Sequence, residues 1–148
     1  MISVLVVDDH SFVRAQVTGV LHGADGIEVV GECADGAEVV SMAALVRPAL
    51  VRPDVVLMDV RMPIVSGPTA TRDLLAGQPA SRVVMLTGSA SASVVAESAA
   101  ADAVGFLVKG DDPNRLSDAV RTVAAGGTVW PAGRPDTPRG IQADSRFG

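Results

Sequence analysis

The sequence is poor in aromatic side chains. Tyrosine is absent, and three phenylalanines and one tryptophan make up the aromatic 3% of the chain. The hydrophobic fraction is nevertheless 48%, so valine, leucine, alanine and isoleucine have to form the core. Aliphatic residues of this kind favour the strands of a parallel sheet that is covered on both faces.

Cysteine is almost absent as well. Because Cys33 is the only cysteine and there are only two histidines, the sequence excludes an internal disulfide and a structural zinc site made of cysteine and histidine. We interpret Cys33 as a small buried residue.

An excess of basic charge and a long hydrophobic run are also lacking. Twelve lysines and arginines against 17 acidic residues give a net charge of -5, which argues against direct nucleic-acid binding by this chain. The apolar run at residues 4–7 is only as long as a strand and ends at Asp8 and Asp9. We therefore expect no signal peptide, no membrane association and a cytoplasmic location.

Five short apolar runs predict strands at residues 3–7, 27–32, 55–58, 82–86 and 104–108. Segments with helical periodicity lie between them. In the second segment, one apolar stripe consists of Val39, Met42, Ala43 and Val46. This alternation, with nearly all-apolar strands, predicts a doubly wound α/β domain with a parallel sheet.

The end of the predicted domain is marked by clear signals. The last helix should begin after Asp112 as its N-cap, with Pro113 in the first turn, and should stop at Gly126 and Gly127. Residues 131–148 are rich in glycine, proline, arginine and aspartate and show no apolar periodicity. We interpret residues 1–130 as one domain and residues 131–148 as a disordered tail or the start of a linker.

Polar side chains follow four of the five predicted strands. In an open α/β sheet, ligands bind beyond the carboxyl ends of the strands, so these residues should meet at one edge. The second strand ends in Glu32 and Cys33 and offers no comparable group. The residues that should meet are Asp8 and Asp9 after the first strand, Asp59 after the third, Thr87 after the fourth and Lys109 after the fifth.

Such a cluster suits a phosphoryl group. Three carboxylates held close together repel one another, and a hard divalent cation such as Mg²⁺ relieves the repulsion. Lys109 would supply a second positive charge, and the hydroxyl of Thr87 would donate a hydrogen bond. One of the carboxylates would then be available as the nucleophile.

The stretches VLVVDDH, PDVVLMDVRMP, VVMLTGS and GFLVKG, in this order and spacing, resemble the receiver domain of two-component response regulators. The stretches GIEVVGECADG and VRTVAAGGTVWP resemble the NarL/FixJ (LuxR-type) branch in particular. The resemblance covers residues 2–131. It implies a flavodoxin-like (βα)5 fold with strand order 2-1-3-4-5.

The resemblance also implies a role for each polar residue. Asp59 would accept a phosphoryl group from a sensor histidine kinase. Asp9 and Asp59, with the backbone carbonyl of Arg61, would ligate Mg²⁺ directly, and Asp8 would act mainly through water. Lys109 would pair with Asp59 before transfer and with the phosphoryl oxygens afterwards.

Thr87 and Phe106 would form the switch of such a domain. The hydroxyl of Thr87 would move to the phosphoryl group, and the ring of Phe106 would rotate into the space that it leaves. Phosphorylation would then shift the population of a surface made by the fourth helix, the fifth strand and the fifth helix. A homodimer through the fourth helix, or through the first and fifth helices, is a further expectation.

Relatives of this branch usually carry a helix-turn-helix domain, which suggests a role in transcriptional regulation. This sequence either is a single-domain receiver or is the receiver part of a longer transcription factor. We expect it to catalyse only its own phosphorylation and dephosphorylation, and not to act as a turnover enzyme.

Two other functions remain open. A HAD-like phosphohydrolase also forms an aspartyl intermediate, but it usually needs a second acid two residues after the nucleophile, where Arg61 stands. A phosphorylation-independent interaction module would not need the complete set of acids, threonine and lysine. We interpret His10, directly after the acidic pair, as a surface or helix-start residue and not as a metal ligand.

The pentapeptide ALVRP occurs twice in tandem at residues 44–53. It leads into the amino end of the third strand, whereas the polar residues follow carboxyl ends. Pro48 and Pro53 disfavour helix at the residues before them, so the first copy should finish the second helix and the second should form a loop. We predict an insertion that the fold tolerates, and we expect deletion of one copy to leave Mg²⁺-dependent phosphorylation intact.

Overall fold

A five-stranded parallel sheet organises the chain. The computed structural model describes residues 1–39, 41, 53–88, 91–110 and 112–131. The strands are arranged in the order β2-β1-β3-β4-β5, which confirms the predicted fold class. Each strand agrees with its predicted range to within one residue at both ends. The strands are β1 (Ile2–Val7), β2 (Ile27–Cys33), β3 (Val55–Asp59), β4 (Arg82–Thr87) and β5 (Gly105–Val108).

Within the described ranges, four complete helices and one short 3-10 turn lie between or after the strands. The helices are α1 (Ser11–His22), α2 (Gly67–Gly77), α3 (Ala92–Ala100) and α4 (Pro113–Ala124), and the 3-10 turn is Gly36–Glu38. Among the described residues, no helix is both long and apolar enough to cross a membrane.

Several predictions concern residues that lie wholly or partly outside the described ranges. Val39 is helical and fully buried. The other members of its stripe, Met42, Ala43 and Val46, lie outside the described residues. So do residues 44–52 of the tandem repeat and residues 132–148 of the predicted tail.

The core consists of two apolar layers, one on each face of the sheet. Successive strand residues point to opposite faces, so Leu57 belongs to one layer and Met58 to the other. The first layer packs against α2 and α3, and the second packs against α1 and α4. Strands that are buried on both faces are apolar at nearly every position, which explains why the sequence runs lack alternation.

Cys33 is buried, as the sequence predicted. Only 1% of the residue is exposed. Burial, and then the charge of Glu38, raises the pKa of its thiol to about 12. The side chain is therefore a small, protonated part of the first layer.

Both ends of α4 match the sequence signals. The Asp112 side chain accepts a hydrogen bond of 2.8 Å from the Asn114 backbone N–H, which caps the first turn. At the other end Gly126 has φ 101°, and the Gly127 N–H donates to the Thr122 carbonyl at 2.9 Å. This is the backbone arrangement by which a glycine ends a helix.

After α4 the chain returns along the outer edge of β5. The Val129 N–H donates to the Val104 carbonyl at 3.1 Å, and the Phe106 N–H donates to the Val129 carbonyl at 2.7 Å. A Cβ at Gly105 would lie 2.9 Å from the Val129 carbonyl oxygen, so glycine allows this close approach. Val129 packs against one core layer and Trp130 against the other.

Candidate functional site

The predicted acidic residues meet at the carboxyl edge of the sheet. β1 and β3 are neighbours, and Val7 pairs with Met58, so the next residue of each strand, Asp8 and Asp59, comes to the same place. One ligand atom from each of Asp8, Asp9, His10 and Asp59 lies within 4.8 Å of the others. Asp8 and Asp59 are 0% and 3% exposed, respectively. The sheet therefore holds like charges close together in a buried place.

Lys109 reaches this cluster from the end of β5. Its Nζ lies 2.8 Å from Asp8 Oδ2 and 3.1 Å from Asp59 Oδ1. Burial would lower the pKa of Lys109, but the contacts with Asp8 and Asp59 outweigh burial and raise the pKa. The ammonium group is therefore charged, as neutralisation of the carboxylates requires.

Asp59 is the carboxyl group of the cluster that has a raised pKa. Burial raises the pKa of its carboxyl to about 6, together with the nearby Asp9 and Asp8, although Lys109 acts in the opposite direction. Its Oδ2 atom is buried and accepts no hydrogen bond from the part of the chain that the structure describes. One buried oxygen of Asp59 thus lacks, among the described residues, a partner that a cation could supply.

The donor set fits a hard divalent cation. Asp8, Asp9 and Asp59 offer carboxylate oxygens, which are the ligands that Mg²⁺ prefers. The Asp9 side chain is 26% exposed, so the cluster has a side that is open to solvent. The Arg61 N–H lies 3.4 Å from Asp59 Oδ1, which places the backbone of Arg61 beside the cluster.

The two predicted switch residues lie on neighbouring strands. Thr87 is the last residue of β4, is 6% exposed, and follows Leu86, the residue that pairs with Asp59. Its carbonyl accepts a hydrogen bond of 2.7 Å from the Lys109 N–H. Phe106 is 1% exposed and belongs to the core layer that packs against α2 and α3.

Sequence reasoning missed Asp35, which follows β2 and is 5% exposed. It accepts hydrogen bonds from the backbone N–H groups of Ala37, Ile64 and Val65 at 2.9, 3.1 and 3.0 Å. Burial would raise the pKa of Asp35, but these bonds outweigh burial and lower it. Asp35 thereby fastens the loop after Asp59 to the end of β2. The Asp35-Gly36 pair, a typical turn signal, was the available clue.

A glycine brings α2 close behind Asp59. The Gly67 N–H donates to the Val60 carbonyl at 2.9 Å. A Cβ at Gly67 would collide with the Asp59 carbonyl oxygen and would lie 2.9 Å from the Val60 Cα. The backbone of the cluster is thus packed directly against the first turn of α2.

Two basic side chains after β1 also contact the cluster and were not assigned this role. The Arg14 guanidinium donates to the Asp8 carbonyl at 2.6 Å and to Glu32 Oε1 at 3.1 Å. His10 Nδ1 lies 3.3 Å from Asp8 Oδ1 and 3.1 Å from Asp9 Oδ1. Arg14 and His10 both hold the turn between β1 and α1. In the sequence, only the position of His10 beside the acidic pair indicated such a contact.

Comparison with known proteins agrees with the fold. Residues 4–121 match the family model described as the response regulator receiver domain. The chain is 41% identical over 126 residues to the response regulator GacA of Pseudomonas protegens, which covers 85% of this chain and 57% of that protein. It is 39% identical over 126 residues to the response regulator UvrY of Escherichia coli, with 85% and 56% covered.

A solved structure gives the same result. The signal receiver domain of the putative response regulator NarL from Mycobacterium tuberculosis superposes with a TM-score of 0.76 at 29% identity, covering 84% of this chain and 97% of that one. The chain belongs to the response regulator receiver domain family. It is a phosphoacceptor domain of two-component signal transduction.

Members of the receiver domain family share several general properties. Receiver domains generally bind Mg²⁺ at their acidic pocket, work with sensor histidine kinases and are generally not turnover enzymes. The matches give no support to a HAD-like phosphohydrolase or to a phosphorylation-independent interaction module. The chain spans a little over half the length of the curated relatives it matches.

Proposed function

We propose that Asp59 is the phosphoacceptor of this domain. The observation that carries the proposal is its buried Oδ2 atom, which accepts no hydrogen bond from the described residues while Oδ1 contacts Lys109. A carboxylate oxygen of Asp59 attacks the phosphorus atom of a kinase phosphohistidine. The new O–P bond forms as the N–P bond breaks, and the electron pair of that bond returns to the imidazole nitrogen.

The neighbouring residues hold the charges in place for this transfer. Asp9, Asp59 and the backbone carbonyl of Arg61 would hold Mg²⁺, with Asp8 acting mainly through water. When bound, the cation neutralises carboxylate charge and stabilises the charge on the phosphoryl oxygens. Lys109, which contacts Asp59 at 3.1 Å, moves its contact to a phosphoryl oxygen once the acyl phosphate has formed.

Thr87 and Phe106 carry the signal onward. Thr87 ends the strand beside Asp59, and Phe106 is buried on the next strand. The Thr87 hydroxyl moves to the phosphoryl group and the Phe106 ring rotates into the vacated space. This shifts the population of the surface formed by α3, β5 and α4, which are the fourth helix, fifth strand and fifth helix of the predicted order.

The proposal extends to the larger protein and its partners. We place the receiver domain at residues 1–130, with a linker or tail from residue 131, in the cytoplasm. Its phosphoryl donor is a sensor histidine kinase and its output is transcriptional regulation through protein contacts. A homodimer forms through the α3 face or through α1 and α4.

Beryllofluoride provides the test, because it mimics a phosphoryl group on a carboxylate. We expect the parent protein and Asp73→Asn, an exposed change on α2 that removes the same charge, to bind beryllofluoride with Mg²⁺. We expect Asp59→Asn not to bind it. Fluorine NMR reports the bound species, and acetyl phosphate followed by mass spectrometry reports the covalent adduct.

Other outcomes would favour the other functions. If Asp59→Asn binds beryllofluoride as well as the parent does, Asp59 is not the acceptor. Turnover of a phosphate ester by the pure protein would support the phosphohydrolase. A lack of Mg²⁺-dependent phosphorylation by any donor would support the interaction module.

A further inference from the structure

We propose that His10 is a nitrogen ligand of the divalent cation at this site. It would make the site favour cations that accept imidazole, such as Mn²⁺, more than three carboxylates alone would. This inference rests on the proposed function, because it concerns the same cluster of Asp8, Asp9 and Asp59. It assigns to His10 a role other than the surface role that the sequence suggested.

The distances around His10 suit two neighbouring ligands of one cation. His10 Nδ1 lies 3.1 Å from Asp9 Oδ1 and 3.3 Å from Asp8 Oδ1. Adjacent ligands of an octahedral cation, each bonded at about 2.1 Å, are about 3.0 Å apart. The nitrogen therefore lies only slightly farther from Asp9 Oδ1, a direct ligand in the proposed function, than a shared cation would hold it.

A second observation shows that the cluster is short of a positive partner. Asp59 is 3% exposed, and its Oδ2 accepts no hydrogen bond from the described residues. The ligand atoms of Asp59 and His10 belong to the same group, all within 4.8 Å of one another. A cation among these atoms would bind a carboxylate oxygen of Asp59 and the imidazole together.

The backbone around His10 is fixed while its ring is accessible. The His10 N–H donates to Asp8 Oδ1 at 2.8 Å. His10 is the N-cap residue of α1, but its side chain makes no capping hydrogen bond. The side chain is 64% exposed, so the ring can adjust without disturbing the core.

The chemistry of the ligands gives the expected selectivity. Mg²⁺ prefers oxygen ligands and keeps several waters, so an imidazole adds little to its affinity. Mn²⁺ also prefers carboxylate oxygens, but it binds imidazole more strongly than Mg²⁺ does, and cobalt and zinc bind imidazole more strongly still. If His10 merely donated a hydrogen bond to the carboxylates, its removal would change the affinities for Mg²⁺ and Mn²⁺ in the same way.

Mn²⁺ itself is the probe for the test, and the untagged protein is required because a polyhistidine tag would bind it. The chain has only two histidines, so an imidazole signal has two sources. His22 is the last residue of α1, roughly 18 Å along the helix from His10, and His22→Ala is the matched control. Pulsed electron paramagnetic resonance detects the coupling of bound Mn²⁺ to an imidazole nitrogen.

We expect nitrogen coupling in the parent and in His22→Ala, and its loss in His10→Ala. We expect His10→Ala to weaken Mn²⁺ binding about tenfold and Mg²⁺ binding less than about twofold, as measured by calorimetry. His10→Ser should give the same result, and it supplies a helix-capping oxygen that keeps α1 stable.

Two failures can be told apart. If the parent binds Mn²⁺ without imidazole coupling, or if His10→Ala changes both affinities equally, His10 is not a ligand and the proposed function stands. If Asp59→Asn binds Mn²⁺ as tightly as the parent does, Asp59 is not a ligand of the cation, and the metal part of the proposed function fails as well.

Discussion

The ammonium nitrogen of Lys109 lies 2.8 Å from Oδ2 of Asp8, a carboxylate that is fully buried. The same nitrogen is 3.1 Å from Asp59, so Asp8 is its nearer partner. Asp8 can therefore hold Lys109 at the cluster even when the charge on Asp59 changes.

Replacing Lys109 should have opposite effects on folding and on cation binding. Lys109→Met leaves the buried carboxylates of Asp8 and Asp59 without the ammonium group that neutralises them. We therefore expect the metal-free protein to lose about 3 kcal/mol of unfolding free energy. The loss of a nearby positive charge should raise Mg²⁺ affinity several-fold. Urea denaturation and calorimetry measure the two effects. Arg72→Met, an exposed change on α2, is the control and should change neither.

Weaker Mg²⁺ binding in Lys109→Met would contradict this prediction. It would mean that Lys109 shapes the cation site by holding Asp8 and Asp59 in position, and not mainly through its charge.

Asp59→Asn should stabilise the metal-free fold, and the gain should depend on pH. The raised pKa means that folded Asp59 keeps its proton up to about 6, whereas the unfolded carboxyl releases it near 3.8. The stability that this proton provides is full below 3.8 and is lost as pH rises through about 6. We therefore expect the variant to gain most above that value, in urea denaturation with a chelator present.

The effect of Mg²⁺ on thermal stability tests whether Asp59 contributes to cation binding. Added Mg²⁺ should raise the melting temperature of the parent, because a ligand of the native state stabilises it, and should have much less effect on Asp59→Asn. Equal stabilisation of both proteins would show that Asp59 contributes little to cation binding.

Asp35→Ala should loosen the loop after Asp59. The change removes the acceptor of the Ile64 and Val65 N–H groups, and we expect a loss of about 2 kcal/mol at neutral pH. The pKa of Asp35 is lowered, so its stabilisation is present above the ordinary value of 3.8 and disappears as pH falls through the lower folded value. The difference from the parent, measured by urea denaturation, should therefore shrink in acid.

Asp73→Ala on the exposed side of α2 serves as the control for Asp35. Its effect should be small, as is usual for an exposed residue. A loss as large as that of Asp35→Ala would show that the removal of any carboxylate from this region destabilises the fold.

Gly67 and Gly77 stand at opposite ends of α2 and make a matched pair. A Cβ at Gly67 would collide with the Asp59 carbonyl, whereas a Cβ at Gly77 meets nothing within 4 Å. We expect Gly67→Ala to cost about 2 kcal/mol and to weaken beryllofluoride binding, because Asp59 has to shift. Gly77→Ala should be neutral or slightly stabilising, since alanine favours helix. Thermal unfolding and fluorine NMR distinguish the two.

Much of the fold could be predicted because four of its five strands are buried on both faces. Val56, Leu57 and Met58 of β3 are all fully buried, so the strand is apolar at successive positions and ends visibly at Asp59. The site followed from the same pattern. Lys109 and Asp59 each come at the end of a strand, and parallel strands bring these ends to one edge.

The contacts that the sequence did not reveal depend on how separate loops meet. Asp35 bonds to Ile64 and Val65, which are 29 and 30 residues away, and no local pattern encodes that pairing. The contact of His10 with Asp9 depends on the turn before α1. Such turns are set by the packing of the whole edge and not by periodicity.

Backbone hydrogen bonds hold Val129 against the edge of the sheet beside β5. The Phe106 N–H, one covalent bond from the Cα that bears the proposed switch ring, is bonded to the Val129 carbonyl. Any segment that continues beyond Trp130 is thus tethered at the strand where the proposed rearrangement occurs. A backbone shift at Phe106 that accompanied the proposed ring rotation would therefore reach Val129 through a single hydrogen bond.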